Sequence, residues 1–204
     1  AIFANGEFST TNITLAPDAF IIDADGGAKH CLALGIIPHL AIGDFDSLSE
    51  NDIKSLDAAG TEFVRHPSSK DETDLELALD YSLRLGASEV TLYSLLGGRW
   101  DMTFANILLL ASPRYAGIRF QILDGSSVAH ILRGGETLEL KGQSGSLVSV
   151  LPLNGPASGI CYMGLQWPLE NATLSFGSSK GVSNVISATE ASISLEQGLL
   201  LIFV

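Results

Sequence analysis

Through residue 123 the chain repeats one pattern: a short apolar run, a loop rich in Gly and Asp, then a helical segment. Apolar, partly β-branched runs fall at residues 19–22, 39–42, 61–64, 90–94 and 118–123. Between them, residues 50–59 form a short amphipathic pattern. Residues 75–85 place Leu75, Leu79 and Leu83 at four-residue spacing, with Thr73 or Asp71 as the cap. Residues 103–111 are strongly apolar and are expected to pack deep. Alternation of this kind implies βαβ units and a parallel sheet. An α/β, Rossmann-like domain is therefore expected over residues 1–123.

From Asp124 the texture changes. Turn signals recur every eight to twelve residues: Arg133-Gly134-Gly135, Gly142-Gln143-Ser144-Gly145, Asn154-Gly155-Pro156 and Gly177-Ser178-Ser179. Strand-like runs lie between them at residues 137–140, 146–151, 172–176 and 199–204. Residues 124–204 are expected to form an all-β sandwich or partial barrel.

Charge narrows the function. The 204-residue chain carries a formal net charge of -12, which disfavours nucleic acid and anionic membranes as partners. No run approaches the roughly 18 apolar residues of a membrane span. The segment AIFANGE has no basic stretch ahead of an apolar one, so no signal peptide is expected. Two cysteines, Cys31 and Cys161, lack paired spacing. That argues against a disulfide framework or zinc site and fits a reducing, cytoplasmic compartment. Eleven of the twelve aspartates, all but Asp124, precede residue 120. The usual way for so acidic a region to handle phosphate is a divalent cation between the like charges, though short Asp side chains equally suit turns and helix caps.

Four loops carry the chemistry. Asp23-Ala24-Asp25-Gly26-Gly27 follows a strand, and its glycines permit positive φ and close backbone approach; it reads equally as a strand-to-helix turn. In Gly43-Asp44-Phe45-Asp46-Ser47, an extended backbone would aim both carboxylates at one cation with Phe45 in the core; the same residues could cap the helix at Glu50. In Ser68-Ser69-Lys70-Asp71-Glu72-Thr73-Asp74 the acids suit a first helical turn. Lys70 does not, unless it meets phosphate. In Leu96-Gly97-Gly98-Arg99-Trp100-Asp101, Arg99 either pairs with Asp101 or grips phosphate through its planar fork. Asn106 is a polar interruption in the apolar run that follows, and could be a satisfied core residue.

All four loops leave strands at their carboxyl ends, where open parallel sheets bind ligands. There Asp25, Asp44, Asp46, Asp71, Asp74, Asp101, Lys70 and Arg99 would share one metal and polyphosphate cleft. No G-x-x-x-x-G-K-[ST] string occurs, so the cleft is not a P-loop.

The ordered set DGGA, GDFDS, DETD and GGRWD resembles the thiamine pyrophosphokinase family. The tail is similar too, in GLQWPLENATLSFG and the Ser183-Asn184 turn, so the likeness covers nearly the whole chain. The resemblance implies transfer of the pyrophosphoryl group of ATP to the thiamine hydroxyl, giving thiamine diphosphate and AMP, with Mg²⁺. It implies an α/β domain binding ATP and metal, a β-sandwich binding thiamine and mediating dimerisation, and a homodimer with thiamine between subunits. Carried over by motif, Asp44, Asp46 and Asp74 hold metal and phosphates and act in catalysis with Asp101. Asp25, Gly26, Lys70, Asp71 and Arg99 serve ATP, and Trp167, Ser183 and Asn184 serve thiamine. Met102 departs from the His or Gln common in relatives, and Lys29 from Asn. Trp167 reads without the resemblance as a core aromatic. A thiamine cation suits an acidic cleft and an indole face. The alternatives are a metal-dependent phosphohydrolase using the same aspartates, and a non-catalytic nucleotide or thiamine sensor.

Overall fold

The computed structural model describes residues 1–8, 13 and 15–204. The chain divides into two units, Ala1–Leu109 with Ile122–Ser126, and Leu110–Gln121 with Ser127–Val204.

The first unit contains β1 (Ile2–Phe3), β2 (Ile22–Ala24), α1 (Gly27–Leu34), β3 (Leu40–Gly43), α2 (Glu50–Ala58), β4 (Glu62–Arg65), α3 (Asp74–Arg84), β5 (Glu89–Tyr93) and α4 (Trp100–Leu110). Its strands are parallel in the order β4-β3-β2-β1-β5. β1 is only two residues long, yet it pairs on both sides and both residues are fully buried. It is not legible in the sequence, because two residues show no periodicity. Three strands lie to one side of β1 and β5 lies to the other. The strand order therefore reverses between β1 and β5, and such a switch point opens a crevice at the carboxyl ends.

Three local differences from expectation matter. The run at residues 19–22 becomes a strand only at Ile22, where it meets Ile2 and Leu40 in register, and that strand runs on through Asp23. Asp23 is thus a sheet residue, fully buried, and the loop begins at Asp25. α4 starts three residues before the expected 103, so Asp101 and Met102 sit in its first turn rather than in a loop. Nor is α4 buried all round: Trp100, Phe104 and Leu108, at four-residue spacing, are 75%, 61% and 57% exposed.

Two helices, α2 and α3, begin where a side chain satisfies a free N–H group. Ser49 caps α2, its Oγ accepting from the Asp52 N–H at 3.2 Å while Asp52 accepts from the Ser49 N–H at 3.0 Å. Thr73, not Asp71, caps α3 and accepts from the Glu76 N–H at 3.2 Å. Beneath the loops, Phe45 packs edge-on to Phe63 at 5.3 Å, and Phe3 stacks on Tyr93 at 4.7 Å. Phe3, Phe45 and Tyr93 are buried, each contributing on the order of 2 kcal/mol, and Phe63 is partly buried against Phe45.

β6 (Arg119–Asp124) crosses from one unit to the other. The second unit holds β7 (Ser127–Arg133), β8 (Glu136–Glu139), β9 (Leu147–Pro152), β10 (Ala157–Met163), β11 (Leu169–Leu174), β12 (Asn184–Val185), β13 (Ser192–Leu195) and β14 (Leu199–Phe203). One antiparallel set runs β12-β9-β14-β7 and a second runs β11-β10-β13-β8. Alternate residues of both sets enter one core: Val148, Val150, Leu200 and Ile202 from the first, Ile160 and Ile193 from the second. The reversal at Gly135 needs φ +87°, which only glycine adopts freely.

Candidate active site

Asp25 follows β2 with φ +49°, and its N–H donates to the Ile42 carbonyl at 2.8 Å. Positive φ therefore falls on the aspartate and not on Gly26, whose φ is −65°. Gly26 is small for another reason: a Cβ there would lie 2.0 Å from Asn5 Oδ1. That closeness lets Asn5 Nδ2 donate to Asp25 Oδ2 at 3.3 Å. The Asp25 residue is buried, and burial raises its pKa, with the charges of Asp74 and Asp44 adding to the rise.

Asp44 and Asp46 follow β3. They do not converge by strand alternation, because Phe45 turns the chain at φ +63° and buries its ring. The turn folds the Asp46 N–H back onto Asp44 Oδ1 at 3.0 Å, and that bond, helped by the Ser68 hydroxyl, lowers the Asp44 pKa. Neither aspartate caps α2, since Ser49 does. Both carboxylates are left for other work. Oxygens of Asp25, Asp44 and Asp46 lie within 4.8 Å of one another. An all-oxygen set suits a hard divalent cation. Ser47 and the Gly26 N–H lie near the Asp25 carboxylate and favour its charged form, but buried Oδ1 makes no hydrogen bond among the described residues, so the residues present fit such an ion.

Asp74 heads α3 beside this group. Its Oδ1 would be 3.3 Å from a Cβ on Gly43, and that Cβ would also press on Asp25 at 3.1 Å. The trio thus shares Asp44 and Asp46 with the expected metal set, and has Asp25 where Asp74 was expected. Asp74 instead pairs with Lys70 Nζ at 2.9 Å, with both side chains largely shielded. Asp71 is exposed in the turn before Thr73. Arg99 clasps Asp101 at two points, Nε to Oδ1 at 3.2 Å and Nη2 to Oδ2 at 2.6 Å. Both are exposed; hydrogen bonding from Arg99 lowers the Asp101 pKa, and the same contact raises that of Arg99.

At the switch point lies a cleft of about 540 Å³, bordered by Asn5, Glu7, Asp25, Asp74, Arg99 and Asn106. Asn5 and Glu7 escaped sequence reading, yet their signal was present. Ile2-Phe3-Ala4 followed by Asn5-Gly6 repeats the grammar of the other loops in miniature. Gly6 N–H donates to the Ser94 carbonyl at 2.7 Å and Glu7 N–H to the Leu96 carbonyl at 2.8 Å, so the two cleft edges are zipped together.

In the second unit Asn184 is buried and binds the Trp167 backbone twice. Its Nδ2 donates to the Trp167 carbonyl at 2.8 Å, and its Oδ1 accepts from the Trp167 N–H at 3.1 Å. Ser183 holds φ +63° and donates its N–H to Ser149 Oγ at 3.1 Å. The clamp presents the Trp167 side chain outward, 55% exposed, so Trp167 is not a core aromatic.

A parallel sheet that gathers carboxylates and cations beyond its strand ends is built as in proteins that handle a polyphosphate with a divalent ion. The chain belongs to the thiamin pyrophosphokinase family. Residues 13–122 match the family's catalytic domain and residues 136–200 its vitamin B1 binding domain. It is 29% identical over 180 residues to the thiamine pyrophosphokinase of Bacillus subtilis, covering 88% of this chain and 84% of that one. A crystal structure of thiamine pyrophosphokinase from Bacillus subtilis superposes with a TM-score of 0.87 at 26% identity, over 99% of this chain and 96% of that one. One from Geobacillus thermodenitrificans gives 0.85 at 28% identity, over 99% and 94%.

Proposed function

We propose that the chain transfers the pyrophosphoryl group of ATP to the hydroxyl of thiamine, giving thiamine diphosphate and AMP. The observation that carries this is the pair of family matches, one on each unit, joined to the carboxylate trio of the first. In this assignment the first unit is the Rossmann-like, ATP- and metal-binding part. The second is the sandwich that binds thiamine through Trp167, Ser183 and Asn184.

Asp25, Asp44 and Asp46, with Asp74 beside them, would hold Mg²⁺, which when bound would neutralise charge on the phosphates. Lys70 and Arg99 would meet the phosphate oxygens, with Gly26 and Asp71 also serving ATP. Arg99 is already satisfied by Asp101, so a polyphosphate has to compete for it. As Arg99 turns to phosphate, Asp101 is released beside the thiamine hydroxyl. It orients that hydroxyl and takes its proton as the oxygen bonds to the β-phosphorus and the bond to the AMP oxygen breaks. A homodimer is supported by the apolar side chains left exposed on α4 and at Trp167. The two unpaired cysteines fit a cytoplasmic location, and no helix among the described residues is long and apolar enough to cross a membrane.

The test is product analysis with Mg-ATP, with and without thiamine. AMP and thiamine diphosphate are expected together, and only with thiamine. AMP formed equally well without thiamine would make the protein a phosphohydrolase. Ligand-induced stabilisation with no AMP at all would make it a sensor.

A further inference from the structure

Asn106 interrupts the apolar run of α4 and is 7% exposed. Its Nδ2 donates to the Leu95 carbonyl at 3.0 Å. A carbonyl only accepts, so the amide is oriented with its nitrogen toward Leu95 and its oxygen away. That oxygen is buried, and no donor among the described residues reaches it. One turn earlier, Thr103 Oγ1 accepts from the Gly97 N–H at 3.2 Å and donates to the Gly97 carbonyl at 3.3 Å. The two side chains brace the wall of the cleft that Leu95, Gly97, Thr103 and Asn106 share. Asn106 Oδ1 is therefore an acceptor of set direction without a protein donor, in a residue lining a cleft with room for a heterocycle.

We propose that Asn106 Oδ1 accepts a hydrogen bond from the exocyclic amine of an aminopyrimidine ring bound in this cleft, making Asn106 a specificity-determining residue. The inference rests on the function proposed above, whose two substrates both carry that group: thiamine on its pyrimidine, ATP on the six-membered ring of adenine. An oxo group at the same place would set acceptor against acceptor, leaving both unpaired, and sites built to pair a donor reject such analogues strongly.

The experiment is calorimetric binding to the full chain with Mg²⁺, using ATP against GTP and thiamine against its 4-oxo analogue. The wild type is expected to favour the amine in one pair by roughly tenfold to a hundredfold. Asn106→Leu is expected to lose that preference by weakening the amine ligand. Asn106→Ala, which also removes the acceptor, is expected to lose it in the same way. The pair that responds identifies the ring that docks. Unchanged discrimination in Asn106→Leu or Asn106→Ala, or no discrimination in the wild type, would each overturn the proposal and leave Asn106 as a brace for Leu95. Should Asn106→Leu fail to fold, Asn106→Ala and the wild type still decide. Binding is read without turnover, so a wild type that binds selectively but forms no AMP defeats the proposed activity and not this inference.

Discussion

Asp25, bent to φ +49° and buried against Asn5, shows how little freedom the site residues have. Gly26→Ala would drive a methyl into the Asn5 amide. It is expected to lower stability by about 1–3 kcal/mol, measured by denaturant unfolding, and to reduce turnover with it. Asp46 differs, being exposed and outside any helix cap. Asp46→Asn is expected to cut thiamine diphosphate formation by about a hundredfold or more while leaving the melting temperature unchanged. Full activity would remove Asp46 from the metal set. Asp23 makes a third residue-scale prediction. Burial, and then the charge of Asp25, push its pKa from 3.8 to about 8. Between those values the native chain holds the proton more tightly than the unfolded chain, so stability falls as pH rises through that window. Asp23→Asn is expected to flatten the fall in denaturant midpoint between about pH 5 and pH 8. A slope equal to wild type would place its source elsewhere.

At the scale of elements, capping and site-building are separated. α2 has its own capping box, so Ser49→Ala is expected to cost about 1 kcal/mol in stability with activity intact. A matching loss of activity would mean that the GDFDS loop depends on the helix behind it. How legible each element was in the sequence followed its length and its burial. α2 and α3 were visible because caps and spacing are local signals. β1 was hidden because its place is set by two parallel neighbours rather than by its own two residues. α4 was located but its surroundings were misjudged, since an apolar sequence does not say which of its faces meets protein. Asp44 and Asp46 lie together, but through a turn at Phe45 that strand alternation does not encode.

For the whole molecule, a net charge of -12 with three carboxylates held together means that folding works against repulsion. A divalent ion bound only by the native state relieves it. Mg²⁺ at a hundred times its dissociation constant is expected to stabilise the wild type by about 2.7 kcal/mol, read as a rise in melting temperature. In Asp46→Asn the rise is expected to shrink. An equal rise in both would place the ion elsewhere. By itself the sequence determined the change from alternating to all-β texture, the four loops at strand ends and the family, because alternation, turn residues and motif order are properties of the chain read locally. The tertiary structure alone decided that β1 divides the sheet and opens the cleft, that Asp25 joins Asp44 and Asp46, and that Asn106 is left with an unpaired acceptor. Each of these depends on which distant backbone lies a few ångströms away, a distance that no local pattern encodes.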